Sequence, residues 1–327
     1  MTLSLSNALQ IEEALLFRGK EQAELFRQAR ECRDRVFGGK VEGRSVIEYS
    51  NICRQECNFC GIAHYTDIRR YVMPGDQFLQ LVDDLYAGGR RVVMIQTGET
   101  EGERYIEALL SLLATVKRKY PELTLVGSFG SLSDEWYRSL REVGVERYLL
   151  KFETSDPRLY SRLKPSDNLP ARLERIATLK RLGFKVSSGN ITGLPGQSLS
   201  SLVADLHLLQ ELQIPMVSTS PFIPHEMTPL AGSTAADLDL TLNFLAVLRL
   251  LCPGALIPTV SALELLRAGG QAMGLTAGAN AATLHDGTPG SEADKFVIYR
   301  KDRYKPTTAL LEAVAKAGLE LSKDPLI

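Results

Sequence analysis

Neither sign of charge is in excess in this chain. Its 38 lysines and arginines stand against 39 aspartates and glutamates, a formal net charge of -1. Such a balance creates no field that would draw nucleic acid or an anionic membrane surface. Long apolar runs are also missing, so no segment reads as spanning a bilayer. Met1 to Asn7 carry no basic n-region and no apolar core, which argues against a signal peptide. Repeats and low-complexity linkers are lacking too. A length of 327 residues then reads as one large domain, residues 40–327, behind an N-terminal helical cap, residues 1–39. Cysteine is scarce, at five residues, and the expected compartment is a reducing cytoplasm, where these stay thiols.

What is present is concentrated. Three of the five cysteines fall in Cys53-Arg54-Gln55-Glu56-Cys57-Asn58-Phe59-Cys60, spaced C-x3-C-x2-C. Three thiolates cannot pair off evenly into disulfides, but a loop this tight can turn them all toward one inorganic centre. A cubane 4Fe–4S cluster normally takes four cysteines, so three leave one iron free to bind something else. The rival reading is zinc. His64 follows Cys60 at C-x3-H and would complete a Cys3His set in a non-catalytic scaffold. Structural zinc ligands usually come as two separated pairs rather than one compact run. Cys32 and Cys252 read as small buried apolar residues.

Around this loop the pattern alternates. Residues 8–36 show helical spacing. Strands are then expected at 45–50, 91–96, 123–128, 147–152, 184–189, 216–220, 256–260 and 275–280. Helices fall between them and at 306–321. Short apolar strands separated by helices predict a parallel sheet, and eight such units predict an α/β fold closed into a (β/α)8 barrel. Catalytic groups of such barrels sit where strands run into helices. Cys53 lies just past the first strand. Gln96-Thr97-Gly98-Glu99 ends the second, Glu153-Thr154-Ser155 follows the fourth, and Gly189-Asn190-Ile191-Thr192-Gly193-Leu194-Pro195-Gly196 ends the fifth. Arg172 opens the next helix and could join Glu153 in gripping a zwitterion. Phe59, Ile62, Ile191 and Leu194 offer apolar surface for a flat ring.

The cysteine spacing, with an aromatic before the third cysteine, resembles the radical S-adenosylmethionine (SAM) enzymes. Ile47 to Cys53, Arg70-Tyr71-Val72-Met73, Gln96 to Glu99, Arg147 to Leu150, Gly193 to Gln197, Pro221 to His225 and Gly278-Ala279-Asn280 resemble one subgroup. This is the group of HydE, the maturase of iron-only hydrogenase, with methylornithine synthase and biotin synthase as relatives. The resemblance implies that Cys53, Cys57 and Cys60 hold a 4Fe–4S cluster. It implies that Thr97, Gly98 and Glu99 meet the methionine end of SAM, that Glu153 and Arg172 contact SAM, and that Phe59, Ile62, Ile191, Gly193 and Leu194 lie by its adenine. Arg147 and Lys151 would face a small substrate in the lumen, with Thr259 and Ser261 lining the lower cavity. Ferredoxin or flavodoxin would supply the electron. In HydE the radical acts on a cysteine-bound iron carbonyl cyanide species; in methylornithine synthase it rearranges lysine. This chain departs from HydE at Lys151-Phe152, where HydE has a basic residue and a histidine, and after Cys60. Two remaining cysteines cannot hold the auxiliary cluster of a sulfur-inserting enzyme.

Overall fold

A computed structural model describes Leu5 and residues 7–287, 296–299 and 307–327. Two helices come first, α1 (Ala8–Leu15) and α2 (Gly19–Phe37). The Asn7 side chain caps α1 by accepting from Gln10 N, and Gly38, in the left-handed region at φ 60°, ends α2. Both pack on the outside of the barrel, α1 against α8 (Leu199–Leu212) and α9 (Leu238–Leu251), and α2 against α9.

The barrel strands are β1 (Lys40–Ser50), β2 (Val92–Thr97), β3 (Thr124–Ser128), β4 (Arg147–Leu149), β5 (Lys185–Thr192), β6 (Met216–Pro221), β7 (Pro258–Thr259) and β8 (Ala281–Leu284). All pair in parallel in the order β6-β5-β4-β3-β2-β1-β8-β7. The seam between β6 and the entry to β7 is held by one parallel bridge, Met216 to Leu256, and two backbone bonds around it. The sheet is therefore a nearly closed, eight-stranded α/β barrel. The intervening helices are α3 (Gly75–Ala87), α4 (Glu103–Lys119), α5 (Asp134–Glu142), α6 (Pro157–Leu163), α7 (Leu169–Arg181), α10 (Leu263–Leu266), α11 (Gly270–Thr276) and α12 (Thr307–Lys316). A short strand, β9 (Glu320–Leu321), pairs with the start of β1. Among the described residues no helix is long and apolar enough to cross a membrane.

Side-chain parity decides what reaches the lumen. On β1, Ile47 and Tyr49 join the core under the helices, while Val46 packs with Met94, Val126 and Leu149 inside the barrel. Arg44 lies on the Val46 side and lines the lumen cavity. On β4, Tyr148 faces outward, edge-on to Phe129, Tyr137 and Phe184, which turns Arg147 and Leu149 inward.

The eighth strand corrects the sequence reading. Leu275 and Thr276 belong to α11, Gly278 turns at φ 107°, and the strand is Ala281–Leu284. The run is apolar throughout and carries no periodicity to separate strand from buried helix. The last helix was expected from Pro306, which lies outside the described residues; α12 ends at Lys316.

Candidate active site

The cysteine loop is built to sit on the barrel mouth. The Arg70 guanidinium donates to the carbonyl oxygens of Asn51 (2.9 Å), Ile62 (2.8 Å), Ala63 (2.5 Å) and Thr66 (3.1 Å), gathering both ends of the loop. Arg54 N bonds Glu99 O at 2.8 Å, which ties the loop to the end of β2. Gly98 permits this approach. A Cβ there would stand 2.3 Å from Ile52 O and 2.7 Å from the Cys53 Cβ.

Cys53, Cys57 and Cys60 all line one cavity of about 270 Å³ that opens at the mouth and runs into the lumen. None of the three is in a disulfide. Burial pushes the Cys53 and Cys60 thiols up, and at Cys60 the neighbouring Cys57 adds to it. Bare, this loop favours protonated sulfur at those two positions, so loading a cationic metal centre would release protons. Among the described residues no three His, Cys, Asp or Glu side chains converge tightly enough for a single metal ion. His64 is exposed. Three free thiols lining one cavity suit a multinuclear cluster, and His64, exposed and outside that lining, does not complete a Cys3His set.

The carboxylates and cations come from the ends of β2 and β4 and from the first turn of α7. Glu99 accepts from Gln55 Nε2 at 2.6 Å and from Ser131 N at 2.8 Å. It seats against Gly130, where a Cβ would lie 2.3 Å from Glu99 Oε2 and where φ is 75°. Arg172 reaches Glu99 Oε2 at 3.4 Å, is hydrogen-bonded to Asp167, and donates to Tyr160 Oη at 3.2 Å. Burial works against its charge, yet Glu99, Tyr160 and Asp167 outweigh it and hold the guanidinium firmly protonated. Glu153 sits at φ 65°, a left-handed backbone rare for a glutamate and typical of a constrained functional turn. Its Oε2 lies 3.0 Å from Lys151 Nζ, which also donates to Ser220 Oγ at 3.4 Å.

Of the residues singled out from sequence, the cavity gathers Cys53, Cys57, Cys60, Phe59, Ile62, Thr97, Gly98, Glu99, Lys151, Glu153, Arg172, Ile191 and Ser261. Four lie elsewhere. Gly193 and Leu194 stand behind Ile191, where Leu194 packs with Ile191, Leu159, Leu163, Phe222 and Ala236. Thr259 turns out of the lumen, donates to Gln271 O at 2.7 Å and packs on Gly274 of α11; its neighbours Pro258 and Val260 line the cavity instead. Arg147 is the first residue of β4, at the closed end of the barrel. It pairs with Glu42 at 2.7 Å and donates to Ile327 O at 2.5 Å, with both side chains buried. It holds the barrel floor together and does not face the cavity.

The cavity also contains groups the sequence did not reveal. Lys164, at the end of α6, points its ammonium at Cys57 Sγ, 3.3 Å away. Arg44, Gln96, Ser128, Ser187, Ser218, Thr283 and His285 line the lumen, and His285 Nε2 lies 3.0 Å from Ser261 Oγ. Only knowledge of strand parity would have flagged them.

A barrel with three free thiols at its mouth and a charged, partly polar lumen is the architecture of a radical SAM enzyme, and residues 47–209 match the Radical SAM superfamily model. The chain belongs to that superfamily, in the family of the HydE subunit. It is 34% identical over 325 residues to the [FeFe] hydrogenase maturase subunit HydE of Thermotoga maritima, covering 98% of this chain and 90% of that protein. It is 29% identical to 3-methylornithine synthase of Methanosarcina barkeri over 79% of this chain and 73% of that one. The crystal structure of methylornithine synthase (PylB) superposes with a TM-score of 0.85 at 25% identity, covering 98% of this chain and 95% of that one. The cofactors are accordingly a 4Fe–4S cluster and SAM.

Proposed function

We propose that the chain matures the iron-only hydrogenase cofactor as a HydE-type enzyme, acting on a small substrate held in the barrel lumen. The observation that carries this is the single cavity shared by three thiols, the Glu99–Arg172 pair and a polar lumen. Cys53, Cys57 and Cys60 would hold the cluster. Once bound, the cluster supplies the electron that splits SAM into methionine and a 5′-deoxyadenosyl radical.

The chain itself does the binding and shielding. Thr97, Gly98 and Glu99 offer a carboxylate and backbone oxygens to an ammonium. Arg172, kept cationic, suits a carboxylate or ribose oxygens, and Glu153, on a constrained turn, complements it. Phe59, Ile62 and Ile191 form an apolar wall for adenine, with Gly193 and Leu194 supporting it from behind. Lys151 and Ser261 face the substrate space. So does Arg44, whose buried Nε, like Ser187 Oγ, has no hydrogen-bond partner among the described residues. Buried polar groups are rarely left so, and a polar substrate would satisfy them. That lumen suits the cysteine-bound iron carbonyl cyanide species on which HydE acts. It also suits an amino-acid carboxylate, which favours a methylornithine synthase type of mutase as the second reading. Ferredoxin or flavodoxin would deliver the electron, in a reducing cytoplasm.

Anaerobic purification tests the reading. Brown protein bleached by dithionite, with about four irons per chain, is expected. With SAM and reductant, 5′-deoxyadenosine should appear by HPLC and Cys57→Ala should abolish it. Consumption of the iron–cysteine species supports hydrogenase maturation, and consumption of lysine supports the mutase. Colourless protein holding one zinc would overturn both.

A further inference from the structure

One ammonium, that of Lys164, stands within hydrogen-bond distance of a candidate cluster ligand, and the fold fixes it there. Its backbone N closes α6 onto Tyr160 O at 2.8 Å. The residues flanking Cys57 are tied to the same segment. Asn58 N bonds Leu163 O at 2.8 Å, Asn58 Nδ2 bonds Arg162 O at 2.8 Å, and Glu56 N bonds Ser166 Oγ at 3.0 Å. Loop and helix end therefore move as one piece. Lys164 is only 6% exposed, and its ammonium lies 3.3 Å from Cys57 Sγ. The nearest carboxylate oxygen, Asp167 Oδ2, is farther, at 3.8 Å, and is already engaged by Arg172 and the Tyr160 hydroxyl.

We propose that Lys164 is a positioning residue for the cluster's electron chemistry: its buried ammonium donates to the Cys57 sulfur and makes the bound cluster easier to reduce. Reduction adds one negative charge to a centre already made anionic by thiolates. A fixed cation a hydrogen bond away stabilises the reduced state more than the oxidised one, and shielding from water strengthens the effect. Hydrogen bonds to ligand sulfur are among the factors that set the potentials of iron–sulfur clusters. The inference rests on Cys57 being a cluster ligand, as proposed above.

The test is an EPR-monitored redox titration of the anaerobically reconstituted full chain without SAM, comparing the parent with Lys164→Met, Lys164→Gln and Lys164→Arg. At the potential where the parent is half reduced, the reduced fraction should fall several-fold in Lys164→Met. It should fall less in Lys164→Gln, which keeps an N–H, and return toward the parent in Lys164→Arg. Superimposable titrations of parent and Lys164→Met would overturn the proposal. So would neutral variants that fail to take up iron, since Lys164 would then serve assembly instead. Cys57→Ala is the separate control. Full iron incorporation there would sink the ligand assignment itself, independently of Lys164.

Discussion

The ion pair at the barrel floor makes an asymmetric prediction. Arg147 and Glu42 are buried and 2.7 Å apart, and Arg44 lies close enough to feel both. Burial, with Arg147 adding to it, lowers the Arg44 pKa to about 10, while Glu42 supports its charge. Removing one partner of a buried pair costs about 3–5 kcal/mol, because the other is left uncompensated. Arg147→Met leaves Glu42 with the Leu326 N–H at 2.9 Å and the field of Arg44, so its cost falls at the lower end. Glu42→Gln leaves Arg147 with the Ile327 O contact but removes the side-chain charge that offsets the repulsion between Arg147 and Arg44, so its cost falls at the upper end. With an unfolding entropy of about 2.1 cal/mol/K per residue, a loss of about 4 kcal/mol in a chain of this length lowers Tm by about 6 °C. Differential scanning calorimetry of the cluster-free chain under reductant should rank parent, Arg147→Met, then Glu42→Gln. The double variant should be less damaged than the two single losses combined. Below its own Tm, Arg147→Met should still make 5′-deoxyadenosine. A fully stable Arg147→Met that loses turnover would refute the structural role, and strictly additive costs would refute the pairing.

Two further predictions follow from buried groups. Asp205 accepts from Ser155 N, Ser155 Oγ and Asn190 Nδ2, yet burial still raises it from 3.8 to about 6. A raised folded pKa means stability fully present below the unfolded value and lost as pH rises through the folded one. At neutral pH the ionised group therefore costs on the order of 3 kcal/mol relative to its protonated form. The stability of the parent minus that of Asp205→Asn should fall between about pH 4 and pH 7 in urea melts, and a flat difference contradicts the assignment. Gly98→Ala places a Cβ 2.3 Å from Ile52 O, which drives the cysteine loop off the end of β2. The iron content after reconstitution should drop while α5 and the far side of the barrel keep their hydrogen-exchange protection. Full iron loading would show that the loop tolerates the shift.

The parts of this site legible in the sequence are those whose meaning is local. Cys53, Cys57 and Cys60 announce themselves by spacing, and Thr97-Gly98-Glu99 and Glu153 by standing at strand ends. Arg172 needed the family resemblance, since nothing in its own helix separates it from a solvated arginine. Parity was not legible. Arg147-Tyr148-Leu149-Leu150 has residues of bulk on both faces, as strands buried on both sides do, so no alternation says which face meets the lumen. That ambiguity hid Arg44, whereas Arg147 does turn inward and misses the substrate space by depth, since it lies at the floor against Glu42 rather than at the mouth. At Thr259 the same ambiguity chose the wrong neighbour by one residue, and one residue is the whole width of a strand face. Helix α6 has no counterpart in the sequence reading because its seven residues, Pro157–Leu163, carry too little periodicity to separate from a loop, although Asp156-Pro157 is a regular helix start. The miss matters beyond its length. Lys164 comes to Cys57 from 107 positions away in the chain only because α6 folds back over the cysteine loop. Sequence spacing finds thiols that can share an inorganic centre; only tertiary folding shows which charge stands beside them, and the proposal for Lys164 rests on that second kind of information.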